Sequence, residues 1–197
     1  MKNLMLIFVA LLLSTACSKS NKVEKIVKEL PSNSIFQLDS KWQNQNDKTL
    51  RLADLRGKTL VMVMIYTSCK VSCPLLVSDM KRIEKAIDPN KLNEVSLVLV
   101  TIDPETDTPA RLKEFAKTRG MDDEHWVFLR GNKETTQELA NVLSMKYKKI
   151  SPVDFSHSNI ISVFNPEGEL VSQNEGTGID AQRVANIVNE TVTKSHE

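Results

Sequence analysis

Two runs of almost wholly apolar residues, 59–66 and 95–102, limit what this chain can fold into more than any other feature. The first reads Thr-Leu-Val-Met-Val-Met-Ile-Tyr and the second Val-Ser-Leu-Val-Leu-Val-Thr-Ile. Neither alternates, as a strand with one wet face would, so both are expected in the middle of a sheet covered on both sides. Between them, within residues 75–87, Leu76, Met80, Ile83, Ala86 and Ile87 recur at helical spacing. Strand, helix and strand in this length make a βαβ unit, with parallel strands and a right-handed crossover.

The flanking segments extend that unit. Residues 35–38 and 49–52 flank the polar stretch 43–48 and read as an N-terminal hairpin. Residues 52–55, followed by Gly57, read as a helical turn stopped by glycine. A second helix is expected from Pro109 to about Arg119, capped by Thr108 or Asp107 and ended by Gly120. A short strand at 126–129 and a third helix at 135–143 follow. Strands at 159–164 and 169–172 are joined by Asn165-Pro166-Glu167-Gly168, a turn with glycine for the positive-φ position. The last amphipathic helix, 179–192, turns Val184, Ile187 and Val188 inward. A βαβ half and a ββα half with an insertion between them is the thioredoxin plan. The expected fold is therefore α/β and thioredoxin-like, a central mixed sheet flanked by helices, in one domain spanning 35–193.

Charge is balanced, with 26 Lys and Arg against 25 Asp and Glu, and only 5% of residues are aromatic. That composition carries no footprint for nucleic acid. The N-terminus departs from the rest: Lys2 precedes an apolar run at 4–13, too short to cross a bilayer, which takes roughly 20 residues. With Ser14, Thr15 and Ala16 after it, residues 1–16 read as a secretory signal peptide. Cys17 follows at once, as in the lipobox of bacterial lipoproteins, although Ser14 stands where leucine is usual and Leu13 lies one place further back. Lipidation of Cys17 is the expectation, since a lone exported cysteine otherwise stays a reactive thiol. Residues 17–34 then form a lipid anchor and polar tether, and residues 194–197 a disordered tail. The protein is expected outside the cytoplasm of a bacterium, in the periplasm or extracytoplasmic space, held to the membrane by lipid.

Cys69-Lys70-Val71-Ser72-Cys73-Pro74 follows the first buried strand directly. Proline lacks an N–H and disfavours helical backbone in the residue before it. Pro74 is therefore expected in the first helical turn, Cys73 at or near the cap, and Cys69 on the preceding loop. A helix N-terminus favours thiolate over thiol, so both sulfurs are expected to be more acidic than a free cysteine. A structural disulfide is common in exported proteins. Its stabilisation grows with the length of the loop it closes, and this loop is too short to gain much. A reactive pair, able to form a Cys69–Cys73 disulfide when oxidised, is the stronger reading.

Three histidines compete for a role beside these thiols. His196 lies in the C-terminal tail, and His125, in a polar turn before Trp126, reads as a surface residue. His157 stands just before the strand at 159–164, where the thioredoxin plan brings a loop to face the cysteines. Redox members of that plan carry a cis-proline there; here the nearest proline is Pro152. Cys69, Cys73 and His157 thus form a candidate metal set. Soft sulfur selects Cu(I), and imidazole suits copper in either oxidation state. Zinc with three protein ligands and a water also satisfies these residue types. A disulfide could hold neither metal, so metal binding and thiol redox state are coupled. The acidic group at Asp103 and Asp107 reads as turn and helix-start hydrogen bonding, not as a second metal site.

Four motifs in order resemble the Sco/SenC family of copper-binding, thioredoxin-like proteins, over roughly residues 35–192. Tyr66-Thr67-Ser68-Cys69-Lys70-Val71-Ser72-Cys73-Pro74 is similar to the family's Tyr-Thr-x-Cys-x-x-x-Cys-Pro. Asp103-Pro104-Glu105-Thr106-Asp107-Thr108-Pro109 is similar to its Asp-Pro-x-x-Asp-Thr-Pro. The segment Trp126-Val127-Phe128-Leu129-Arg130-Gly131, and His157-Ser158 leading into Phe164-Asn165-Pro166-Glu167-Gly168, complete the set. The resemblance implies one copper ion bound by Cys69, Cys73 and His157. It also implies a metallochaperone that helps mature CuA, the dinuclear copper centre of cytochrome c oxidase. The implied partner is the CuA-bearing subunit or a similar CuA protein, met by a monomer. Some relatives are thought to act instead as thiol-disulfide oxidoreductases, which would make Cys69 and Cys73 a catalytic pair that keeps CuA cysteines reduced without metal. A lipoprotein with a structural bridge alone is the remaining reading. Two departures stand out. Many members have an acidic residue just before the histidine, where this chain has Ser156 with Asp154 nearby, and many use a transmembrane anchor.

Overall fold

The computed structural model describes residues 29–195. The expected signal peptide, the expected lipidation site Cys17, most of the expected tether and His196 lie outside the described residues. Nine strands and four helices follow in chain order: β1 (Lys41–Asn44), β2 (Thr49–Arg51), β3 (Thr59–Ile65), α1 (Ser72–Ala86), β4 (Val95–Thr101), α2 (Pro109–Arg119), β5 (Trp126–Arg130), α3 (Lys133–Val142), β6 (Tyr147–Lys149), β7 (Phe155–His157), β8 (Ile160–Phe164), β9 (Leu170–Glu175) and α4 (Ala181–Lys194). Seven strands form one sheet in the order β2-β1-β5-β4-β3-β8-β9, and β6 pairs with β7 in a separate two-stranded sheet.

The apolar runs lie where their composition demands. Every residue of β3 and β4 is buried, and the two strands pair in parallel from Thr59 opposite Val95 to Ile65 opposite Thr101. β5 joins β4 in parallel, while β8 runs antiparallel to β3 with Leu60 opposite Phe164 and Val63 opposite Ile161. The sheet is therefore mixed, flanked by helices and thioredoxin-like, as the sequence led us to expect. α1 covers it with Leu76, Met80 and Ile83, and α4 with Val184, Ala185 and Val188. Helix ends obey local chemistry. The Thr108 side chain accepts the Arg111 N–H, Pro109 opens α2, and Gly120 closes it at φ 61°.

Residues 35–38 are not a strand. Ile35–Gln37 form a 3-10 turn in which the Ser34 side chain accepts the Phe36 N–H, sending Ile35 and Phe36 into the core. The hairpin's first strand is instead β1, anchored by fully buried Trp42 and paired with β2. The segment ahead of it is packed too: Leu30 lies against the core, and the Ser34 hydroxyl donates to the Glu167 carbonyl at 2.5 Å.

One consequence of topology positions everything that follows. Because β8 is antiparallel to β3, the chain enters β8 at the edge where β3 ends. The residues just before β8 and just after β3 must therefore share that edge.

Candidate metal centre

The cysteine loop is fixed from below before it reaches the helix. The Asp107 carboxylate is fully buried, and it accepts the Thr67 N–H at 3.0 Å, the Thr67 hydroxyl at 2.5 Å and the Thr101 hydroxyl at 2.6 Å. The sequence suggested that Asp107 serves a turn or the start of α2. That helix is capped by Thr108, and Asp107 reaches across the sheet edge to pin the loop leading to Cys69. Asp103 supplies its carbonyl to the turn, accepting the Thr106 and Asp107 N–H groups. Among the described residues, no group of metal-ligating side chains forms around this acidic pair.

α1 begins without the usual side-chain cap, since Val71 at the cap position offers no acceptor. The Cys69 sulfur serves instead, accepting the Cys73 N–H at 3.4 Å. Two cysteines four residues apart thus meet opposite environments. Burial pushes the Cys69 thiol up, but the backbone N–H groups of Cys73 and Val71, with the Cys73 and Tyr66 side chains, draw it down from 9.0 to about 6. Cys73 sits inside the first turn, 2% exposed. Burial pushes its thiol well above the usual range, and the neighbouring Cys69 and Asp107 charges add to the rise. The expectation of two acidic sulfurs is therefore corrected. The helix N-terminus aids the sulfur that faces its N–H groups, and burial governs the one that does not.

His157 arrives from the other side on a strand rather than a loop. It ends β7, opposite Tyr147 of β6, and the Ser158 N–H donates to the Lys146 carbonyl at 2.8 Å. The ring lies edge-on to Tyr66, with centroids 5.9 Å apart, and Phe155 packs on Tyr66 at 5.1 Å. Nδ1 is 3.0 Å from the Ser158 carbonyl oxygen, an acceptor only, so Nδ1 carries the proton and Nε2 presents its lone pair. Nε2 lies 3.6 Å from Cys73 Sγ and 3.1 Å from the Ser72 hydroxyl. The Ser158 carbonyl, not the nearby Asp154 carboxylate, therefore orients the ring. The Asp154 carboxylate instead accepts from the Tyr66 phenol at 3.5 Å, and Ser156 is exposed opposite Lys148. His125 is half-buried at the start of β5, at the far end of the parallel strands from the cysteines.

Cys69 Sγ, Cys73 Sγ and a His157 ring nitrogen all lie within 4.8 Å of one another. This is the one group of three such donors among the described residues, and it could hold a metal ion. Both cysteines are free thiols. The SCO1/SenC family model matches residues 30–193. The chain belongs to the SCO1/SenC family. A SCO1 protein homolog of Bacillus subtilis is 28% identical over 138 residues, 68% of this chain and 71% of that protein. Solved Sco structures share the fold. Bradyrhizobium japonicum ScoI with copper bound superposes with TM-score 0.66 at 22% identity, over 77% of this chain and 96% of that one. A SCO1/SenC family lipoprotein from Bacillus anthracis gives 0.70 at 22% identity, over 77% and 91%. BsSco, a member of the Sco family of cytochrome c oxidase assembly proteins with a disulfide switch, gives 0.66 at 25% identity, over 78% and 91%. Among the described residues, no helix is long and apolar enough to cross a membrane.

Proposed function

We propose that this Sco protein is an extracytoplasmic copper metallochaperone. It takes one copper ion on Cys69, Cys73 and His157 and delivers it to the CuA centre of cytochrome c oxidase. The observation that carries the reading is the convergence of two sulfurs and an imidazole lone pair within 4.8 Å. Two thiolates and a neutral imidazole make a soft, three-donor set suited to Cu(I). Cys69 is ready as thiolate near neutral pH, whereas Cys73 gives up its proton as metal arrives, so loading is linked to proton release. Exposed Val71 and Leu75 flank the cysteines and offer an apolar rim against which a partner could exclude water during ligand exchange. The charged start, short apolar run and Cys17, with the likeness to a Bacillus anthracis lipoprotein, support a lipid anchor at Cys17. Titrating the reduced protein with Cu(I) against a competing chelator should give about one ion per chain, and His157→Ala should bind at least about 100-fold more weakly. Equal affinity in that variant would remove His157 from the site.

The split between the thiols favours a second reading, a thiol-disulfide oxidoreductase. The more acidic Cys69, at 9% exposure, would attack a target disulfide, and the more deeply buried thiol of Cys73 would resolve the mixed disulfide. The target gains two thiols and the protein is left with a Cys69–Cys73 disulfide. Metal-free reduced protein mixed with an oxidised CuA-site peptide tests this. Turnover would support it, and no turnover with copper transfer intact would remove it.

A further inference from the structure

Ser72 carries a hydroxyl that meets both the imidazole of His157 and the Cys69 sulfur, and neither proposed activity uses it. It is the first residue of α1, half-buried, between the two cysteines in sequence. Its oxygen is 3.1 Å from His157 Nε2 and 3.8 Å from Cys69 Sγ. In the neutral ring the Ser158 carbonyl fixes the proton on Nδ1, so Nε2 accepts, and the Ser72 hydroxyl at 3.1 Å is its nearer donor, with the Cys73 thiol at 3.6 Å. That lone pair is the one a metal would take. A metal on Nε2 leaves the hydroxyl proton without its acceptor, and Cys69 Sγ, 3.8 Å from the same oxygen, is the next acceptor, within reach of a rotation of the proton about the serine Cβ–Oγ bond.

We propose that Ser72 is a positioning residue with two alternating partners. Its hydroxyl holds the His157 lone pair in the metal-free protein, and it turns to donate to the Cys69 sulfur when a metal occupies that lone pair. The second partner rests on the copper reading above; the first does not. The hydroxyl keeps the imidazole aimed at the sulfurs while the site awaits its ion, and it quenches charge on the Cys69 thiolate once the ion is bound.

The test compares Ser72→Thr, which keeps a hydroxyl, with Ser72→Val, which has the same shape without one. In metal-free protein, the 15N resonance of His157 Nε2 should stay in place in the Thr variant and move downfield, toward a free imine nitrogen, in the Val variant. In Cu(II)-loaded protein, the thiolate-to-copper absorption band should shift to longer wavelength in the Val variant alone, because the sulfur loses a donor. Identical Nε2 resonances in the two variants would overturn the proposal. An unshifted band beside a shifted Nε2 would overturn its second half. Failure of wild-type protein to give any copper band would sink the copper reading, while the Nε2 resonance would still decide whether Ser72 holds the imidazole.

Discussion

The two halves of the site are built on unlike supports. The cysteines follow β3, a strand paired on both sides and buried along its whole length, with Cys69 on a loop pinned by Asp107 and Cys73 in the first turn of α1. The histidine stands on β7, whose one partner is the three-residue strand β6, in a sheet apart from the main one. That hairpin touches the site through Tyr66 packed on Phe155 and through the Phe155 N–H, which donates to the Tyr66 phenol at 3.3 Å. Isolated two-stranded ribbons are marginally stable, so His157 stands on the weaker of the two supports and depends on the packing of Phe155 against Tyr66. On the metallochaperone proposal, such asymmetry would suit a site that both holds an ion and releases it.

The comparison breaks first at Asp107. Asp107→Ala leaves the Thr67 N–H and two hydroxyls without their acceptor and should cost about 3 kcal/mol of unfolding free energy, measured by urea denaturation. A loss under about 1 kcal/mol would mean that the cysteine loop is not held as described. On the hairpin side, Phe155→Ala should cost about 1–2 kcal/mol in global stability, because Phe155 is only partly buried. Copper affinity in that variant should fall about 10-fold, as expected for a residue that supports a ligand without being one. A fall as deep as that of His157→Ala would show the hairpin to be as indispensable as the ligand it carries.

Thiol reactivity sharpens the contrast within the cysteine half. As pH rises through about 6, Cys69 passes from thiol to thiolate. Its iodoacetamide modification, mapped by peptide mass, should climb about tenfold per pH unit below that point and level off above it. Cys73, held protonated by burial, should stay nearly inert across the same range. Equal modification of both sulfurs would contradict the division of environments. The smallest effect is expected from Ser156→Asp. A carboxylate facing Lys148 across the hairpin should stabilise the ribbon by a few tenths of a kcal/mol and leave copper affinity unchanged, since this exposed side chain is not among the contacts of the imidazole.

Several elements were legible because their signals are local. The apolar runs of β3 and β4 announce central strands, Pro109 and Gly120 mark the ends of α2, and Pro74 marks the start of α1. The β6–β7 hairpin was not legible. Lys148, Lys149, Ile150 and Pro152 give no alternation, and its inward residues are only Tyr147, Phe155 and His157. The turn at Ile35–Gln37 was misread as a strand because two adjacent apolar residues satisfy a strand pattern as readily as a buried turn.

Residue order alone settled the central βαβ unit, the placing of two cysteines where a buried strand meets a helix, and the candidacy of His157. These follow from periodicity, from proline's missing N–H and from the direction β8 must run. Only the tertiary structure decided which thiol is acidic, where Asp107 reaches, and that Ser72 and Ser158 lie against the two nitrogens of one ring. Those outcomes depend on burial and, for Asp107 and Ser72, on contacts with Thr67 and His157 tens of positions away, and no local pattern encodes which N–H or hydroxyl a buried group will meet.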